Sequence, residues 1–443
     1  MIKKITRIYG NSRLYKRKIL GLEIATLANL ASVGILGISG IFLNILIGLH
    51  YGPEGLGLFN IIMGIFIVFS QFSTFGLHFS VLKWTASHSH NSKSISKILI
   101  TGLILASCSF LIILVPALML LLFIDKIFHI HNISYSWALA LPGLLFFTFN
   151  KILLASLNGQ EKMIDYALSQ SLRYIMLILT LGIIIYFNFP KKIIPFIITS
   201  SEAAVFFLCI YFLRKHLCFF KFKELFYWIV RHFHFGLKSF LAGASVELNS
   251  KADVLILGLF VSEREVGIYS FALFIIEGLF QIIAVFRNEI NPKISLLFSQ
   301  RKIFELSELV TSKSTSFFIY TLLATIISNL IFYLYICYFK MADSFRESIF
   351  ILLLLSVGFV SAARYMPFQF FANQINKPKI QTKLNFNILI ANLFLNFLFA
   401  PIWGMKGAAI GTSISFVIAS FLIRNQIKLT NKKWASYKSI PQI

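Results

Sequence analysis

The sequence predicts an all-α integral membrane protein, with twelve transmembrane helices in two six-helix lobes around a central cavity. Three observations predict it: an apolar composition, twelve long apolar runs, and basic residues crowded onto one side of the chain. Of 443 residues, 58% are hydrophobic and only 13% are charged, with a mean hydropathy of +0.81. Soluble domains carry about a quarter charged residues, so the balance points to lipid. A helix needs roughly 20 apolar residues to cross the hydrocarbon core. Runs of that length are too long for barrel strands, and only helices and closed barrels satisfy their backbone in lipid.

In chain order the runs lie near 22–49, 56–80, 97–124, 134–157, 166–188, 193–213, 234–260, 267–290, 312–339, 347–371, 380–400 and 405–426. The first is too long for a signal-peptide core and lacks a small-residue cleavage site, so it is expected to be retained. Its Gly34, Gly37 and Gly40, like Gly407 and Gly411 in the last run, allow helices to approach closely. Pro116, Pro142, Pro195 and Pro367 are expected to kink their spans. The halves are expected at 1–213 and 234–443, joined by a cytoplasmic linker at 214–233.

A formal net charge of +24 could suggest nucleic acid. The positions of the charges argue for topology instead. With these spans, 29 lysines and arginines fall at the termini and on every second loop, against 7 on the opposite side. Such an asymmetry is the positive-inside rule and puts both termini in the cytoplasm. The excess also attracts anionic headgroups. No nucleic-acid partner is expected, and the protein is placed as multi-pass in a membrane.

Cysteines 108, 209, 218 and 337 lie in or beside apolar runs without paired spacing, and read as small core residues. The His-x-His pairs His88/His90, His129/His131 and His232/His234 have no carboxylate or thiolate cluster beside them. No metal site is expected.

One short segment recurs. At an offset of 210, Ile45–Leu49 aligns with Leu255–Leu259, and Leu56–Asn60 aligns with Val266–Ser270. Each corner opens the first pair of spans of a half. A weaker echo, shifted by about six more residues, links "LNGQEKMIDYA" (157–167) with "NQINKPKIQTK" (373–383). Six spans per half keep both copies in the same orientation, as parallel repeats.

Nine charges remain inside the runs once those near the run ends are set aside. The cations are Lys151, Arg173, Lys251, Arg287 and Arg364; the acids are Glu202, Glu247, Asp253 and Glu277. Each costs at least about 2.5–3.5 kcal/mol at a helix centre, so they are expected to face one another or a wet cavity. Glu247 and Lys251, four apart, are expected to pair along one helix face. Arg287 and Glu202 fit snorkelling or plain interhelical pairing; Arg364 and Lys251 fit the cavity better. Guanidinium forks match phosphate oxygens, so an anionic headgroup entering from the cytoplasm suits such a chamber. The acids could bind a driving H+ or Na+. No phosphate loop, catalytic cluster or cofactor motif is present in the sequence, so neither an enzyme nor a cofactor is expected.

The chain resembles the polysaccharide flippases (the O-antigen, Wzx-type branch) of the multidrug/oligosaccharidyl-lipid/polysaccharide (MOP) exporter superfamily. The resemblance rests on "GPEGLGLFNII" (52–62), "NSKADVLILGLFVSEREVGIYSFAL" (249–273), "NPKISLLFSQ" (291–300) and "GMKGAAIGTSIS" (404–415). It implies a central cavity, alternating access, and transport of an undecaprenyl-diphosphate-linked oligosaccharide from the cytoplasmic to the periplasmic leaflet. It further implies that Asp253 matches the acidic residue of the seventh-helix motif. Expected partners are that lipid-linked oligosaccharide, membrane lipids, and a polysaccharide polymerase with its chain-length regulator. Two other readings stand beside it: a drug or cation exporter of the same fold, and a membrane enzyme of glycan assembly such as a polymerase.

Overall fold

The structure, a computed structural model, describes the backbone of residues 18–19, 22–218, 220–338 and 340–437. Side chains are described from Ser39 to Leu429, apart from positions 219, 222, 242, 303 and 339–342. The basic residues Lys3, Lys4, Arg7, Arg13, Lys16, Arg17 and Lys438 lie outside the described residues.

Helix accounts for all twelve spans. A kinked helix α1 (Ile24–Thr74) holds the first two and continues through α2 (Leu77–Ser87). Then come α3 (Ser92–Phe128), α4 (Ile133–Gly159), α5 (Met163–Tyr186) and α6 (Phe196–Leu213). The seventh span is broken into α7 (Phe222–Asn249) and α8 (Ala252–Gly258). The series continues with α9 (Glu263–Ser299), α10 (Ile303–Tyr338), the short α11 (Ser348–Ala362) and α12 (Phe371–Gln374). A second kinked helix, α13 (Pro378–Tyr437), holds the last two spans. Eight of the helices among the described residues are long and apolar enough to cross a membrane by themselves. The number is below twelve because α1 and α13 each carry two spans, while the seventh and tenth are interrupted.

The prolines act unequally. Pro116 and Pro142 sit inside α3 and α4, but Pro195 precedes the first residue of α6 and Pro367 lies in a 3-10 turn after α11. Pro at a helix start costs nothing, since the missing N–H has no intrahelical partner there. The sharp reversals fall instead on Gly52 (φ 66°) and Gly404 (φ 55°), where only glycine is unstrained.

The described residues form two compact units. One holds the chain up to Leu43 with Phe69–Leu121 and Tyr135–Phe240; the other holds Asn44–Val68, Leu122–Ser134 and Leu241 onward. The first has a core of Leu77, Val81, Ile98, Leu99, Ile152, Leu153, Val205 and Leu213. In the second, Phe271 packs on Phe345 (ring centroids 4.5 Å apart) and Phe280 on Phe359 (4.9 Å). Helix α10 also presents Leu323, Ile326, Ile327, Leu330, Ile331 and Leu334, each at least half exposed, along one side. A ridge of that size is untenable in water and suits acyl chains.

Both copies of the repeated corner lie in the second unit, and they pack on each other. A Cβ on Gly57 would overlap the Glu263 carbonyl; a Cβ on Gly267 would overlap the Pro53 carbonyl. The contact is reciprocal about equivalent positions, which is what a pseudo-two-fold axis produces. The second corner dispenses with Gly-Pro because Ser262 caps α9, its Oγ accepting from the Glu265 N–H at 3.4 Å.

The weaker echo has matching geometry. Glu161 and Asn376 both take left-handed backbone, with φ of 58° each. The next N–H donates to the carbonyl five residues back, Lys162 to Leu157 (3.0 Å) and Lys377 to Ala372 (2.8 Å). Such a pair closes a helix in the Schellman manner. The same closure follows Asn188 and Arg301, so it is a common helix ending and does not by itself mark the repeat.

Candidate functional site

The nine charges divide between the units, and most have partners. In the first unit, Arg173 on α5 meets Glu202 on α6. Its Nε lies 2.7 Å from Oε1 and its Nη2 donates to Oε2 at 3.1 Å, a bidentate fork. Asn150 on α4 donates to Oε2 and to the Glu202 carbonyl, both at 2.8 Å, and Gln170 accepts from Arg173 at 2.5 Å. The cluster ties three helices together. Lys151 stands beside it, its Nζ 5.3 Å from the Phe147 ring, which Arg173 also approaches at 5.9 Å.

Removing one partner of a buried pair leaves an uncompensated charge, at a cost of about 3–5 kcal/mol. Arg173→Ala and Glu202→Ala are therefore each expected to lower the melting temperature in detergent sharply. The double variant should lose less than the two single losses combined.

In the second unit, Lys251 pairs with Glu277 on α9 at 2.7 Å, and Glu247 is exposed. This corrects the expected Glu247–Lys251 pair. Helix α7 ends at Asn249 and α8 begins at Ala252, so the four-residue spacing spans a break and no longer marks one face. The break itself is held by Asn392 on α13, whose side-chain amide donates to the Asn249 carbonyl and Oδ1, each at 3.2 Å.

Two residues past the break, Asp253 is 3% exposed. Its Oδ2 accepts from the Tyr269 hydroxyl at 2.6 Å and from Thr412 at 3.4 Å; its Oδ1 accepts from the Val254 N–H at 2.9 Å. Asn396 donates to Thr412 (3.3 Å) and to Asn392 (2.7 Å), which extends the network along α13. One carboxylate, two hydroxyls and two amides thus meet in an otherwise apolar interior. Tyr269, Asn392, Asn396 and Thr412 were not singled out from sequence. Asn392 and Asn396 are four apart within an apolar run, a spacing that could have flagged them.

The remaining cations stand apart from these clusters. Arg287 lies 5.0 Å from the Phe370 ring. Arg364 is exposed, 6.0 Å from the Tyr365 ring, and its Nη2 reaches the Thr315 hydroxyl at 3.5 Å. Arg424 approaches the other partner of that group, Tyr365, at 5.8 Å. Among the described residues no three His, Cys, Asp or Glu side chains cluster in a way that could hold a metal ion.

A family model described as "Polysaccharide biosynthesis protein" matches residues 26–289. The chain belongs to this family. Solved structures of transporters share its fold. An inward-facing multidrug resistance MATE transporter is 18% identical, covering 94% of this chain and 97% of its own, with a TM-score of 0.71. The lipid II flippase MurJ, in an inward closed conformation, is also 18% identical, covering 92% and 88%, with a TM-score of 0.70. A MOP transporter from Pyrococcus furiosus is 16% identical, covering 92% and 95%, with a TM-score of 0.59. No curated protein sequence matches the chain.

Proposed function

We propose that this family member is a flippase. It moves an undecaprenyl-diphosphate-linked oligosaccharide, an O-antigen or other surface-polysaccharide repeat, from the cytoplasmic to the outer leaflet of a bacterial inner membrane by alternating access. The observation that carries the reading is the polysaccharide-biosynthesis match on a chain with a MOP fold. A lipid II flippase has the same fold, so the scaffold is compatible with a lipid-linked substrate. Both termini face the cytoplasm, and a polymerase with its chain-length regulator takes the product onward.

Lys151, Arg287 and Arg364 are the cations proposed to meet the diphosphate; Arg173 and Lys251 are engaged by Glu202 and Glu277. Those two pairs hold helices in register and would have to exchange partners to touch substrate. Asp253, with Tyr269 and Thr412, is the proposed seat of the driving H+ or Na+: hard oxygen donors around one carboxylate suit either ion.

A drug or cation exporter is the second reading, favoured by the multidrug transporter of the same fold. Five intramembrane cations against four acids disfavour a cationic cargo. To decide, Arg364→Ala and Arg287→Ala are introduced into a strain lacking the gene and surface polysaccharide is measured. Each is expected to reduce export about tenfold or more, the scale of losing one charged hydrogen bond. Full export by both would remove the cations from the mechanism.

A further inference from the structure

Two cations of the first unit converge on one indole without any counter-charge. The Arg231 guanidinium lies 4.2 Å from the Trp84 ring and the Lys83 ammonium lies 4.8 Å from it. Tyr227, Trp228 and Phe235 complete the aromatic surround, at 4.8 and 5.6 Å from Arg231 and 4.8 Å from Lys83 respectively. Among the described residues neither cation has a carboxylate within ion-pair range. Glu224, the acid on this part of α7, is engaged by Lys97 at 2.7 Å. The rings hold both cations in place by cation–π attraction and leave their N–H donors open.

The neighbouring surface says what kind of anion fits. Helix α7 begins twelve residues before the expected seventh span, inside the stretch read as a linker. Along it Phe226, Val230, Phe233 and Leu237 are all exposed and recur at helical spacing, forming one apolar ridge. The next stripe round the helix carries Tyr227, Arg231, His234 and Lys238, and the third packs inward through Trp228. An apolar ridge bordered by cations and aromatic rings is the arrangement of a helix lying at a lipid headgroup boundary.

We propose that the α2–α7 face binds the headgroup of an anionic phospholipid, with its phosphate on Arg231 and Lys83 beside Trp84 and an acyl chain along the ridge. The site shares no residue with the Asp253 network or with the cations proposed to meet the substrate. The loop charges put Lys83 and Arg231 on the cytoplasmic side, where anionic lipid is drawn to basic surface.

The test embeds the full chain in nanodiscs of phosphatidylcholine mixed with phosphatidylglycerol and counts retained lipids by native mass spectrometry. Phosphatidylglycerol is expected to be retained in preference to phosphatidylcholine. That preference should fall about tenfold in K83Q/R231Q, as loss of charge-assisted hydrogen bonds predicts. It should persist in K302Q/K313Q, which removes the same charge elsewhere. Equal retention of both lipids by the wild-type chain overturns the proposal without any variant. So does an unchanged preference in K83Q/R231Q, or complete displacement of the lipid by inorganic phosphate, which would leave only an anion site.

Discussion

Gly267→Ala is expected to yield little folded protein in the membrane, and Gly57→Ala the same. Each new methyl would meet a backbone carbonyl, Pro53 in one case and Glu263 in the other, not a side chain that can swing away. Overpacking typically costs about 1–3 kcal/mol where side chains yield. Here two helix starts must separate, so the loss should exceed that range. Gly40→Ala is the comparison, because a Cβ there meets nothing within 4 Å. Membrane-fraction abundance and melting in detergent check the trio. Normal folding of both corner variants would contradict the reciprocal packing from which the pseudo-two-fold is argued.

Asp253→Asn is expected to abolish export while leaving the fold intact. The amide retains the shape of the carboxyl: its oxygen can still accept from the Val254 N–H, while its NH2 donates to the Tyr269 hydroxyl, which then turns acceptor. It cannot take up a proton or hold a cation as a carboxylate does. Asp253→Ala should differ by also destabilising the chain, since it removes the acceptor of the buried Tyr269 hydroxyl and Val254 N–H and leaves Tyr269 only Thr412 at 3.2 Å, a cost of about 1–3 kcal/mol. Melting separates the two variants, and surface polysaccharide should be lost in both. An Asp253→Asn chain that exports normally would remove this acid from energy coupling.

The spans were legible because lipid imposes a length and an apolarity that no tertiary context overrides. What the sequence blurred were the interruptions. Asn249, Ser250 and Lys251 form a polar break inside the run expected at 234–260, but with that run read as one helix Glu247 and Lys251 became neighbours on one face. The break is held from 143 residues away by Asn392, a tertiary cause invisible to a periodicity argument. Likewise α7 reaches back to Phe222 because its ridge is amphipathic, and hydropathy sees only fully apolar stretches.

The charges were legible as a set but not as pairs. Burial cost alone predicted that nine ionisable groups would not face lipid, and Arg173–Glu202 and Lys251–Glu277 satisfy that demand. Which acid meets which cation depends on helix packing, and here each pair joins two different helices. The repeat was visible through two glycines and a few apolar matches. Its physical reason, two backbones crossing where only glycine fits, required coordinates.

The most direct measurement is leaflet transfer in proteoliposomes holding the purified chain and a fluorescent undecaprenyl-diphosphate oligosaccharide, read by quenching from outside. Protein-dependent movement of the lipid between leaflets, lost in Asp253→Asn, is the predicted result. Transfer no faster than in empty vesicles, from a chain that instead moves cationic drugs, would contradict it.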